Sequence, residues 1–141
     1  MRKRLFSPLY RTSLTRKRIM MTSSAVPRFD TVTIDCPDPA ALASFYGALL
    51  EWPVPAGDGD FVALDPPGGG AALTFQRAAG FVAPTWPDPA VQQQFHLDLA
   101  VDDLAAAHER AIVLGARHLD TQEKFRVYAD PAGHPFCLCS W

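Results

Sequence analysis

The sequence lacks any uninterrupted apolar run near the ~20 residues that a membrane-spanning helix requires. Its longest apolar stretches, Ala40 to Leu50 and Leu104 to Leu114, are broken by polar residues, so no membrane partner is expected. Cysteine is scarce. Cys36, Cys137 and Cys139 form neither an even set nor the C-x-x-C spacing of a structural zinc site, which implies no disulfide framework and a reducing, cytoplasmic setting. If Cys137 and Cys139 share a strand they point to the same face, a poor geometry for a mutual bridge. Basic residues are nearly missing from residues 21–141, which hold six Lys or Arg against fifteen Asp or Glu, a net of −9. Such an acidic body repels phosphate backbones, and no nucleic-acid partner is expected. A phosphate-binding loop is missing as well: Gly68-Gly-Gly70 has neither a following Lys-Ser/Thr nor a helix behind it and reads as a flexible turn.

The other seven basic residues (Arg2, Lys3, Arg4, Arg11, Arg16, Lys17 and Arg18) lie within residues 1–20, with no acid among them. This segment has Ser and Thr between its arginines but no apolar core of a secretory signal. It reads either as a transit-type leader or as sequence upstream of a natural start at Met20 or Met21. Residues 1–26 are therefore set aside as a basic, disordered tail. The remainder, 27–141, matches the size of one domain, and 48% hydrophobic residues supply one buried core.

Within that domain the chain repeats one order of elements. Phe29 to Cys36 alternates, with Val32, Ile34 and Cys36 on one side and Thr31, Thr33 and Asp35 on the other, the pattern of a half-buried strand. Asp38-Pro39 then offers an N-cap and a first-turn proline, followed by Leu42, Phe45, Tyr46, Leu49 and Leu50 at helical spacing. Asp60 to Leu64 and Ala71 to Gln76 read as strands around Asp65-Pro-Pro-Gly-Gly-Gly70. After a Pro-rich connection, Pro84-Thr-Trp-Pro-Asp-Pro89, His96 to Val101 alternates again. Asp102 or Asp103 caps a second helix ending at Gly115, and Phe125 to Ala129 and Phe136 to Trp141 flank the turn Asp130-Pro-Ala-Gly133. The halves are placed at about 28–80 and 95–141, with a linker at about 81–94. Each first strand has one apolar face for its helix, so the polar faces are expected to line a shared cleft.

Asp38-Pro-Ala-Ala-Leu-Ala-Ser-Phe-Tyr46 with Leu49-Leu50, His96-Leu-Asp-Leu-Ala-Val-Asp-Asp103, Leu114-Gly-Ala116 and Asp130-Pro-Ala-Gly-His-Pro-Phe-Cys-Leu138 resemble, in order and spacing, the glyoxalase-like branch of the glyoxalase/bleomycin-resistance (vicinal oxygen chelate) superfamily, over about residues 28–141. The resemblance implies an α+β fold of two tandem βαβββ modules forming a cupped mixed sheet around a central cavity. It also implies a small-molecule ligand and a homodimer, with lyase, isomerase, dioxygenase or metal-free antibiotic-binding activity. Metal-using members hold a divalent ion with four side chains. Those positions fall here on Thr31, near Ala72, on His96, and on Cys137 where the family usually has Glu, so only His96 matches. No cofactor is expected. A divalent metal would need an unconventional set, His96 and Cys137 helped by Asp98, Asp35 or Gln76.

The residues expected to carry chemistry are His96 and Asp98, an imidazole and a carboxylate two residues apart on the cup-facing side. The same pair also reads as a vestigial ligand position beside an exposed strand acid. Thr31, Thr33, Asp35, Thr74, Gln76, Trp86 and Cys137 are the expected ligand contacts. For Cys137 small apolar packing competes with a nucleophilic role, and Trp86 either closes over a ligand or covers the joint between halves. His134 is expected to shape the turn into the last strand. Three functions are consistent with this pattern: a small-molecule binding protein without the usual metal, an enzyme using His96 and Asp98, and a dimeric interaction module.

Overall fold

In the computed structural model, which describes residues 25–141, Thr31–Cys36 forms β1, and its alternation sorts the side chains as expected. Ile34 and Cys36 are buried, and Thr33 and Asp35 remain exposed on the opposite face. Residues 1–24 of the basic tail lie outside the described residues. Asp38 caps helix α1 (Pro39–Leu50), its Oδ1 accepting from the Ala41 amide at 3.1 Å, and Pro39 occupies the first turn, where its missing N–H costs no hydrogen bond. The helix buries Leu42, Phe45 and Tyr46. It ends at Glu51 in the left-handed conformation (φ 57°, ψ 37°), which glycine adopts without a Cβ penalty. The exit is therefore an ordinary C-cap carrying an unfavourable residue, and the Glu51 carboxylate lies 3.3 Å from Arg110 Nη2 on the second helix.

β2 (Phe61–Leu64) and β3 (Ala72–Arg77) pair antiparallel across the glycine-rich turn, and β3 lies parallel to β1, giving the order β1-β3-β2. The second half contains β4 (Leu97–Ala100), α2 (Leu104–Leu114), β5 (Arg117–Thr121), β6 (Phe125–Ala129) and β7 (Pro135–Cys139) in a sheet of order β4-β7-β6-β5. Asp103 is the cap of α2, accepting from the Ala106 amide at 3.0 Å, and Gly115 ends it at φ 109°. Each half thus sets its first strand parallel to its last, with its helix between them in sequence. The α+β architecture is as expected, except that the first half has three strands. Trp52-Pro-Val-Pro55 stands where the second half has β5, and proline cannot donate to a ladder.

The helix sides of both sheets share one core. The Tyr46 ring stacks on Phe75 at 5.6 Å and meets Phe136 of β7 edge-on at 6.1 Å, so α1 packs on both sheets. At this joint lies Asp130, with its side chain wholly buried. Tyr46 Oη donates to Asp130 Oδ2 at 2.8 Å, and the Ala132 and His134 amides donate to Oδ1 at 2.9 and 3.0 Å. His134 Nδ1 is 2.9 Å from the same carboxylate, and its Nε2 is 2.8 Å from the Asp35 carbonyl of β1. Both of those partners are acceptors. The ring thus bridges the buried carboxylate to the backbone of β1.

Three substitutions test these contacts. Asp130→Ala leaves His134 and Tyr46 without their buried partner and should lower unfolding free energy in urea by on the order of 3–5 kcal/mol, whereas Tyr46→Phe should cost about 2 kcal/mol. Glu51→Gly relieves the left-handed Glu at the loss of one exposed ion pair, and should raise stability by up to about 1 kcal/mol. An unchanged or lower urea midpoint would contradict it.

Candidate functional site

On the faces away from the helices, β1 and β3 run in a register that sets Thr31 beside Ala72, Thr33 beside Thr74 and Asp35 beside Gln76. Thr31 and Thr74 hydroxyls lie 2.7 Å apart, and Thr31 Oγ1 is also 3.1 Å from the Ala72 carbonyl. Thr74 is buried, so this pair satisfies itself and holds β1 to β3. Thr33, Asp35 and Gln76 remain exposed, and among the described residues nothing pairs with the Asp35 carboxylate.

In the second half, β4 and β7 place Asp98 beside Cys137. His96 Nε2 lies 3.4 Å from Asp98 Oδ1. The floor beside them is apolar: Val127, Cys137 and Cys139 are buried under Trp86 from the linker, together with Leu119 and Phe125. Trp86 therefore covers the cup side of β6 and β7. This cover pushes the Cys137 thiol up to about 12, chiefly through burial, with the nearby Asp98 carboxylate adding to it; Cys139 is raised for the same two reasons. A thiol held neutral under an indole is a packing residue at ordinary pH.

Two cavities open on this side. One, of about 320 Å³, is walled by Thr33, Asp35, Phe81, Phe95, His134 and the run Gln92–Gln94. The other, of about 380 Å³, is walled by the same glutamines and Phe95 together with Trp86, Asp88 and His96. Of the residues expected from sequence, Thr33 and Asp35 line the first, and Trp86 and His96 the second. Thr31, Thr74, Gln76, Asp98 and Cys137 line neither. The contributions of Phe81, Gln92–Gln94, Phe95 and His134 were not foreseen. Their only local signal is a Gln-Gln-Gln-Phe run inside an otherwise Pro-rich connection, and a histidine four residues after the turn aspartate.

The four-ligand metal set does not fit this site. Thr31 is committed to Thr74, and Ala72 carries no donor. A different grouping is present in the second half alone, where His96, Asp98 and Cys137 each bring one possible ligand atom within 4.8 Å of the others. Nitrogen, oxygen and sulfur donors together match zinc-like chemistry, but the sulfur must first lose its proton.

The burial of Cys137 and Cys139 generates a reactivity prediction. At pH 8 the native protein should react with 5,5′-dithiobis(2-nitrobenzoate) about a hundredfold or more slowly than the urea-unfolded chain. Trp86→Ala should release Cys137 and Cys139 to faster labelling, located by peptide mass mapping. Rapid labelling of Cys137 in the unsubstituted protein would contradict the assigned cover.

The sequence matches the family model described as Glyoxalase-like domain over residues 31–139. No match to a curated protein is found. Among solved structures, a glyoxalase/bleomycin resistance protein/dioxygenase family enzyme from Burkholderia phytofirmans superposes with a TM-score of 0.62 at 17% identity, covering 79% of this chain and 96% of that one. Oxidase ChaP-H2 superposes at 0.59 with 18% identity, over 82% and 94% of the two chains. TnmS3, an antibiotic binding protein from a Streptomyces species, superposes at 0.55 with 17% identity, over 84% and 98%. At these identities the structures share the fold alone. With the family model spanning nearly every described residue, the chain belongs to the glyoxalase-like domain family of the vicinal oxygen chelate superfamily.

Proposed function

We propose that this protein binds a small organic molecule in the cup, without the four-ligand metal site of its metal-using relatives. The observation that carries this reading is the pair of cavities, of about 320 and 380 Å³, that share Gln92–Gln94 and Phe95 as a common wall. Each falls at the lower end of the size range of small-molecule sites, and each joins aromatic surface to a few polar groups. Thr33, three amides and His96 supply hydrogen bonds, while Phe81, Phe95 and Trp86 supply contact area. That one structural neighbour is an antibiotic binding protein agrees with this reading.

A second reading is favoured by one specific contact, the 3.4 Å approach of His96 to Asp98 at the edge of the second cavity. A carboxylate beside an imidazole orients it and supports proton transfer to or from a bound substrate. In that case the protein is an enzyme of lyase, isomerase or dioxygenase type, and His96→Ala removes turnover.

The two readings separate in a thermal-shift screen of chelator-treated protein. A ligand at about a hundred times its Kd should stabilise the fold by about 2.7 kcal/mol, a Tm rise on the order of 10 °C, with no divalent ion added. Stabilisation seen only after a divalent metal is supplied would overturn the metal-free reading. Chemical conversion of the ligand, lost in His96→Ala, would favour the enzyme.

A further inference from the structure

The charges around the two cavities are of one sign. Asp35 lines one, Asp88 lines the other, and neither has a lysine or arginine in its wall. Asp98 adds a third carboxylate on the same side of the second sheet. The two histidines supply no unmatched positive charge: His134 is paired with the buried Asp130, and His96 with Asp98. Asp35 differs from the others in having no partner of its own. Its backbone carbonyl is taken by His134, while its carboxylate projects from the exposed face of β1 and receives no hydrogen bond or ion pair among the described residues.

Phe81 and Phe95 stand beside this carboxylate in the wall of the same cavity. Both rings rest on His134, with centroids 5.3 and 6.0 Å from the imidazole, and are thereby held in place. A free carboxylate among aromatic faces, hydroxyl and amide oxygens favours a cationic group carrying an apolar body. The carboxylate provides the attraction, the negative ring faces stabilise the cation, and neutral Thr33 and glutamine groups solvate it. An anionic ligand would meet the Asp35 carboxylate with no lysine or arginine in the wall to offset it. Outside the basic first twenty residues the chain carries a net −9, and that field steers cations toward the cleft.

We propose that the ligand class of this site is an organic cation with an aromatic or aliphatic body, its ammonium or guanidinium group seated against Asp35 between Phe81 and Phe95, its body extending along Phe95 and Gln92–Gln94 toward Trp86. This proposal rests on the reading of the cup as a ligand site and adds the charge and orientation of what enters it.

The test uses the full chain, 15N-labelled, titrated with benzyltrimethylammonium and, separately, with benzyl alcohol and benzenesulfonate. The cation should shift the amide resonances of Thr33, Asp35 and Phe95 in a saturable manner, with an affinity that weakens as sodium chloride is raised. Benzyl alcohol should bind about tenfold more weakly and benzenesulfonate not at all. Asp35→Asn should weaken the cation about fivefold to tenfold and leave benzyl alcohol unchanged. Phe81→Leu should weaken the cation more than the alcohol, and Asp65→Asn, on the distant turn, should change neither. If benzyl alcohol or benzenesulfonate binds these residues as tightly as the cation, or Asp35→Asn leaves the cation's affinity intact, the charge assignment is overturned while the cup remains a ligand site. If none of the three probes moves the cup resonances, both the assignment and the reading beneath it fall.

Discussion

The fold is organised around a carboxylate with no access to water. Asp130 would be costly in the interior if any of its lone pairs lacked a donor, and the chain surrounds it with Tyr46, two amides of its own turn and the His134 ring. Those donors come from α1 of the first half and from the turn between β6 and β7 of the second. Through His134 the same cluster reaches the backbone of β1. The turn thereby sets where β7 begins, and with it the register that brings Cys137 beside Asp98. The same connection holds the main chain at Asp35, whose side chain faces the cleft. Stability and site geometry therefore depend on one group of contacts.

The repeated halves use their cup-side faces differently. In the first, Thr31 and Thr74 bond to each other and leave a polar, open strip ending at Asp35 and Gln76. In the second, the equivalent surface is covered by Trp86, Leu119 and Phe125, and the cysteines beneath it are packing residues. The cavities lie where the segment from Phe81 to His96 crosses between these surfaces. Strands supply the floor, and the connection between the halves supplies most of the walls. This division leaves the size of the cavities to the connection rather than to Thr31 and Ala72.

The elements that alternate or carry caps were legible in the sequence. β1, β4, β6 and both helices fall where Ile34, Leu97, Val127, Asp38, Asp103 and Gly115 place them, because each is decided by local periodicity or a single capping interaction. β5 was not legible. Arg117-His-Leu-Asp-Thr121 has no clean alternation, and its pairing with β6 contains a shift between His118 and Asp120. The fourth strand that a βαβββ module implies for the first half is absent among the described residues, because Pro53 and Pro55 stand where it would follow the helix. The polar face of β1 carries Thr33 and Asp35 into the wall of the first cavity. The aromatic and amide walls did not announce themselves, since loop residues acquire a direction only when the chain closes around them. His134 was placed at its turn, but its partners lie on α1 and β1, beyond any local pattern.

Separating floor from wall also shapes how such a protein diverges. Substitutions in the connection between the halves change the size, polarity and aromatic content of the cleft without touching Asp130 or the strand registers. On the proposed reading, recognition rests on the connecting segment and the scaffold on the Asp130 cluster. If that reading holds, a comparison of connecting segments between proteins that share this cluster informs about ligand more than a comparison of their strands.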